Sequence, residues 1–239
     1  ILTPRCADLI LEYPTSPGHS SFPAKWRSKT LPQVQTGINT AEIEYRTDRK
    51  RTCNGKVRLL ICSEFLHWKG VTFASEIFSR IAKKRDDIEL LICGTGPEES
   101  AMRKIFRTNG VEHMVSWKGF VEKKELIQTL FDADILLYPS YHHGLATVIL
   151  QAMHARLPIV ALTGDSVGIA VAEGAGVAVS GESMPEILNN LEREVEQLID
   201  SPELRKKFGY SGRNLIETKY EWRILIQQLS NRLAFMVKK

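Results

Sequence analysis

Residues 57–97, VRLLICSEFLHWKGVTFASEIFSRIAKKRDDIELLICGTGP, decide how the chain folds. Two apolar runs, Val57–Cys62 and Ile88–Cys93, flank a stretch in which Ala74, Ile77, Phe78, Ile81 and Ala82 recur at i, i+3, i+4, i+7 and i+8. That spacing lines one face of a helix, predicted from about Val71 to Lys84. The two runs lack the polar alternation of a half-exposed strand and suit strands covered on both faces. The second run ends in Gly94-Thr95-Gly96-Pro97, a turn whose proline fits the first position of a following helix.

Downstream the alternation continues. A helix carrying Met102, Ile105 and Phe106 on one side is closed by Asn109-Gly110. Then come a short strand (Val115–Trp117), a helix (Glu125–Phe131), a strand (Ile135–Tyr138), a helix (Thr147–Ala155), a strand (Pro158–Leu162) and a last strand (Val177–Val179). Strands and helices alternating at this interval predict parallel strands joined by helical crossovers, a doubly wound α/β domain. Helices follow over Met184–Asp200 and Pro202–Lys219, and a final one runs from about Glu221. Upstream, Ala7–Tyr13 reads as one helical piece, but Pro14, Pro17, Gly18, Pro23 and Pro32 break the rest. Residues 1–55 are therefore expected to be the remnant of a preceding domain plus a linker, with the α/β domain over 56–220 and a terminal helix over 221–239. The chain opens on Ile1, and a second α/β domain is expected ahead of it.

Composition narrows the class. Apolar residues at 43% and charged residues at 25% allow a sizeable core and argue against disorder. No apolar run approaches the roughly 20 residues of a membrane span. Net charge is only +4. The basic run Arg46, Arg49, Lys50, Arg51 is interrupted by Asp48 and has no interleaved aromatic, so it reads as a solvated linker and no nucleic-acid partner is expected. Contact with an anionic membrane surface is its functional alternative. Cys6, Cys53, Cys62 and Cys93 form no C-x-x-C pair. Cys62 and Cys93 each end an apolar run, which predicts buried reduced thiols and a cytoplasmic location, membrane-peripheral if the basic run acts.

Ligands of open parallel sheets sit beyond the carboxyl ends of the strands, where strand order reverses. The loops to inspect are Ser63–Gly70, Gly94–Glu98, Gly119–Lys123 and Ser140–Thr147. The last leads into a helix whose free amides favour phosphate, with Gly144 permitting close approach and Lys69 supplying a flexible cation. Gly94-Thr95-Gly96 lacks the third glycine of a dinucleotide fingerprint, Glu99 standing in its place, and reads as a tight turn. His142-His143 has no third ligand at sensible spacing, so neither metal nor cofactor is expected. His113 and His154 read as structural or exposed, and Trp68 and Trp117 as packing anchors. Pattern alone reaches a phosphate-containing ligand.

Taken in order, Lys69-Gly70, Cys93-Gly94-Thr95-Gly96-Pro97-Glu98, Gly119-Phe120-Val121, Ala133-Asp134-Ile135 with Tyr138-Pro139-Ser140, Leu150-Gln151-Ala152-Met153 and Leu157-Pro158-Ile159-Val160 resemble a known set. The set is similar to the C-terminal, nucleotide-sugar-binding domain of family-4 retaining glycosyltransferases, one Rossmann-like half of a GT-B fold, over Lys56–Trp222. Leu31-Pro32 and Gly37-Ile38-Asn39 resemble its interdomain linker, and the final helix resembles the one that crosses back to the N-terminal domain.

The resemblance implies transfer of a hexose, with retention, from a nucleotide-diphosphate sugar to a glycan, lipid or small-molecule acceptor. Lys69 would hold the diphosphate, with His143 as its second catalytic partner. Gly70 and Gly94 would line the donor site, and the backbone at Phe120 and Val121 would face the base. Gly144, Leu145, Ala146 and Thr147 would contact sugar and phosphate, and Gln151 the ribose. An isolated half is expected to be inactive.

The sequence departs from the family at three places. Glu64 stands where the family has arginine, reversing a charge worth about 4 kcal/mol at ~4 Å and an effective dielectric of ~20. His143 and Gln151 replace a pair of glutamates, and Leu145 and Ala146 replace a glycine-rich loop. These departures keep two alternatives open: a binding or scaffold protein that no longer transfers sugar, and a sugar-nucleotide epimerase of the same architecture.

Overall fold

A computed structural model describes residues 36–43, 55–141, 144–164 and 166–237, together with strand residues 10–12 and 30–32. Strands β1 (Ile10–Glu12) and β2 (Thr30–Pro32) pair in parallel, Ile10 opposite Thr30 and Glu12 opposite Pro32. This corrects the helix expected over Ala7–Tyr13 and places Leu31-Pro32 in a strand. The apolar run is too short for periodicity to separate helix from strand, and pairing with a neighbour decides it. The basic run at 46–51, Cys6 and Cys53 lie outside the described residues.

The main sheet holds β3 (Val57–Cys62), β4 (Ile88–Cys93), β5 (Val115–Gly119), β6 (Ile135–Tyr138), β7 (Ile159–Leu162) and β8 (Gly176–Val179), all parallel, in the order β5-β4-β3-β6-β7-β8. Strand order therefore reverses between β3 and β6, as a doubly wound domain requires. The connecting helices are α1 (Val71–Ala82), α2 (Glu99–Asn109), α3 (Lys123–Asp132), α4 (Thr147–His154) and the short α5 (Ser166–Ala170). α6 (Met184–Asp200), α7 (Pro202–Leu215) and α8 (Trp222–Val237) follow. α5 and the wide turns at Val171–Ala175 and Ile216–Tyr220 were not legible from periodicity, being about one turn long. Pro97 sits in the turn ahead of α2, whose N-cap is Glu98, so it is not the first helical residue.

Alternation along the strands divides the core. Leu59, Ile61, Leu90, Ile92, Ile135 and Leu137 join a buried cluster with α1, α2 and α6. Leu60, Cys62, Leu91, Cys93, Leu136 and Tyr138 join another with α3 and α4. Both faces are covered, which explains runs broken only by Arg58 and Glu89, which pair with each other across β3 and β4 at 2.6 Å. In α1 the buried hydroxyls of Ser75 and Ser79 donate to the carbonyls of Val71 and Ser75, both at 2.8 Å, so the helix meets the sheet without an unpaired polar group. Buried Arg205 donates to Leu198 O and Ile199 O and closes the carboxyl end of α6. Cys62 and Cys93 are free, buried and opposite one another in register. The thiol–thiol hydrogen bond and burial push the Cys62 pKa up, keeping it a neutral thiol.

Part of the expected linker is core. Ile38 and Ile43 belong to the α3–α4 cluster. Ile38 N donates to Tyr220 O at 2.9 Å and Trp222 N to Ile38 O at 3.1 Å, so residues 36–43 run beside the start of α8. No helix among the described residues is long and apolar enough to cross a membrane.

Candidate functional site

The carboxyl ends of the strands carry the four loops picked out by the sequence, and their backbones are stitched together. Gly94 N donates to Gly119 O at 2.7 Å, Phe65 N to Thr95 O at 2.9 Å and Glu98 N to Phe65 O at 3.0 Å. Tyr141 N and Ser140 Oγ both donate to Trp68 O at 3.1 Å. Two glycines make this possible. Gly70 has φ +66, and a Cβ there would lie 2.0 Å from Pro139 O. Gly94 has φ +131, and a Cβ would lie 1.9 Å from Ser63 O. Their amides are already engaged, Gly70 N with His67 O and Gly94 N with Gly119 O. Both glycines therefore shape the rim and donate nothing to a ligand through those amides. The Gly94-Thr95-Gly96 turn brings its backbone close to that of Ser63 and Phe65.

Lys69 closes a 3-10 turn, His67–Lys69, that leads through Gly70 into α1. Lys69 is half-buried, and its Nζ donates to Tyr138 Oη at 3.2 Å, at the end of β6. Among the described residues it has no carboxylate partner. Glu64 is exposed, and its carboxylate makes no hydrogen bond or ion pair among the described residues, so it does not neutralise Lys69. A lysine without a carboxylate partner is open to an anion.

Across the rim, Ala146 caps α4 in extended conformation with no side-chain hydrogen bond. The amides of Leu145, Ala146, Thr147 and Val148 have no acceptor among the described residues. Successive unpaired amides opening a helix form an anion-binding nest. Gly144, with φ +136, has open space where a Cβ would stand, and Thr147 is exposed. Leu145 turns its side chain into the core, so only its backbone is available to a ligand. Tyr138 shares that buried cluster with Leu145 and Ile149. Gln151, one turn into α4, is buried, with no side-chain hydrogen bond among the described residues. His142 and His143 lie outside the described residues, and with them the second catalytic candidate.

Phe120 is 78% exposed beyond β5, while Val121 packs on the α3–α4 cluster. Trp117 is a packing anchor as expected: it meets Phe65 and Phe106 edge to face and carries the Arg103 guanidinium 4.0 Å from its ring centroid. Trp68, expected as another, is 41% exposed on the rim. Tyr138 was missed as a site residue. The signal available was a polar-tipped side chain on the last residue of a strand beside the reversal point. A groove of about 370 Å³ runs along α3, floored by Ile43, Ile127 and Phe131, and shares no lining residue with the Lys69–Tyr138 rim.

Sequence and fold comparisons converge on one group of proteins. The family described as "Glycosyl transferases group 1" matches residues 46–215. A GDP-mannose-dependent monoacylated alpha-(1-6)-phosphatidylinositol monomannoside mannosyltransferase of Corynebacterium glutamicum is 27% identical over 202 residues, covering 81% of this chain and 51% of that protein. The chain thus spans about half the length of such curated relatives. The crystal structure of a glycosyl transferase group 1 C-terminal domain, LpcC from Francisella tularensis, superposes with TM-score 0.66 at 20% identity, over 78% of this chain and all of that one (100%). Anabaena HepE, in complex with UDP and glucose, gives TM-score 0.69 at 14% identity, over 87% of this chain and 57% of that one. At such identities the structural matches speak for the fold.

Proposed function

This chain belongs to the glycosyl transferases group 1 family, and from that membership we propose that it is the donor half of an enzyme transferring a hexose, with retention, from a nucleotide-diphosphate sugar. The observation that carries the reading is a half-buried Lys69, bonded to Tyr138, beside a loop whose Leu145–Val148 amides have no acceptor among the described residues. Two phosphates need both a mobile point charge and a fixed array of N–H donors.

In the proposed complex Lys69 and the start of α4 hold the diphosphate. Gln151 uses its open carboxamide on a ribose hydroxyl, and Phe120 and Val121 flank the base. Breaking the glycosidic bond builds negative charge on the departing diphosphate, and these groups stabilise it where it develops. The attacking atom is the acceptor hydroxyl, whose proton passes to the diphosphate on the same face of the sugar, so no protein nucleophile is required. Neither metal nor cofactor has a part in the proposed reaction.

The division into 1–55, 56–220 and 221–239 enters as part of this proposal. The Ile38–Glu221 bridge brings the entering chain and α8 together, a fitting exit point for a domain upstream. Calorimetry with UDP-glucose and GDP-mannose tests the donor site on the chain alone: saturable binding of one of them is expected, and binding of neither overturns the reading. Transfer is expected only when an upstream domain completes the cleft. Glu64 in place of arginine favours a second reading, donor binding without transfer. Binding with no turnover by a chain carrying its upstream domain would select it.

A further inference from the structure

The donor reading makes no use of the two thiols at the carboxyl ends of β3 and β4. Cys62 and Cys93 are the last residues of adjacent parallel strands, opposite one another in register, and both belong to the α3–α4 cluster. Neighbouring strands lie about 4.7–4.9 Å apart, and a disulfide spans Cα atoms roughly 4.4–6.8 Å apart. A bridge therefore needs no change of register. On the other side of β4 the pairing with β5 slips between Ile92 and Cys93, so the Cys93 end has already left the regular ladder there. Just beyond the pair, Ser63 N donates to Cys93 O at 3.2 Å and keeps the two strand ends together.

The two thiols are not equivalent. The Cys62 thiol donates to the Cys93 sulfur and holds the Cys93 pKa down against burial, with the Lys118 ammonium adding to this and Glu125 opposing it. The same bond, with burial, pushes Cys62 up. One sulfur of the pair is thus favoured as thiolate while its neighbour keeps the proton, which two inert core cysteines would not show. Cys62 is 7% exposed and Cys93 1%, so only an oxidant little larger than water reaches them in the folded chain.

We propose that Cys62 and Cys93 are a redox-active dithiol, closed by a peroxide to a disulfide between β3 and β4, with Cys93 attacking and Cys62 resolving. The Cys93 thiolate attacks one peroxide oxygen and the O–O bond breaks, leaving Cys93 as a sulfenic acid. The departing hydroxide takes the proton that Cys93 gave up and leaves as water. The Cys62 sulfur then displaces the sulfenic oxygen, its own proton completing a second water. Two thiols and one peroxide give one disulfide and two waters, the sulfurs losing two electrons to the oxygens. The bridge stands one residue ahead of Ser63 and Gly94, where two of the rim loops begin, and its chemistry does not rest on the donor reading.

The test exposes the chain to hydrogen peroxide without denaturant, alkylates the remaining thiols in urea, and maps tryptic peptides by mass spectrometry before and after dithiothreitol. Cys62 and Cys93 fall in different peptides, 59–69 and 86–103, so their bridge is read apart from Cys6 and Cys53. The two peptides are expected to be joined and to be released by dithiothreitol. Dimedone, which captures sulfenic acids, is expected to label Cys93 in Cys62→Ala and to label Cys62 in Cys93→Ala at least about tenfold less. The wild-type map decides the matter even where an alanine variant fails to fold. No bridge, a bridge formed only when urea is present during oxidation, or linkage only to Cys6 or Cys53 overturns the proposal. Cys93 driven to sulfinic acid while Cys62 stays a thiol overturns it too, and dimedone favouring Cys62 overturns the assignment of the two roles.

Discussion

The two ends of α4 differ in every respect that matters for function. At its start, Gly144 and Thr147 face open space, Ala146 provides no side-chain cap, and the first amides have no acceptor among the described residues. At its end, His154 is 1% exposed, meets Phe131 edge to face, and has its Nε2 2.9 Å from Arg213 Nη1. The Ile43 backbone also hydrogen-bonds it, and Arg213 in turn pairs with Glu217 at 2.6 Å. One end of a single helix has no acceptor for its first amides among the described residues, and the other is sealed into the core with residues 36–43 and α7. Both carry polar groups, and the proposed ligand falls at the end whose amides are open.

The sealed end can be broken by acid. Burial, then the Arg213 charge, pulls His154 down to about 4. With an ordinary value near 6.5 in the unfolded chain, this depressed group contributes stability that is present above pH ~6.5 and lost as pH falls toward ~4. The loss is on the order of 3 kcal/mol. Urea unfolding at pH 7 and pH 4.5, compared with His154→Gln, should show the wild type losing more; equal losses would remove His154 from the account. The open end depends on how its neighbour loop is seated. Gly70→Ala forces a left-handed residue against Pro139 O and is expected to cost about 2–3 kcal/mol of stability, read from the urea midpoint. A stability change near zero would mean the two loops are not held together at that point. Smallest is Glu64→Arg, which adds a cation to the loop that carries Lys69 and should tighten UDP binding by about fivefold, near 1 kcal/mol. Weaker binding would place Glu64 in a favourable donor contact.

The legibility of the two ends also differed. The sheet and its helices followed from apolar runs such as Val57–Cys62 and Ile88–Cys93, because a strand covered on both faces is apolar over most of its length. The loops followed from topology, and Lys69 with them. What escaped were facts of tertiary pairing. Ile10–Glu12 became a strand because Thr30–Pro32 lay beside it. Tyr138 acquired its role by meeting a lysine from another loop. Trp68, expected as a packing anchor, stands on the rim, where Ser140 and Tyr141 hold its carbonyl. His154 could be guessed as structural, but not that it joins α4 to the linker. Periodicity records which face a residue occupies within its own element, and these relations lie between elements.

The central claim is that Lys69 and the first amides of α4 recognise a diphosphate. Its most direct test compares uridine and guanosine with UDP and GDP by calorimetry, in the wild type and in Lys69→Ala. The account predicts a diphosphate preference of at least about tenfold in the wild type, the size of one charge-assisted hydrogen bond. Lys69→Ala should shrink most of that preference while leaving nucleoside affinity unchanged. An undiminished preference in Lys69→Ala would contradict it.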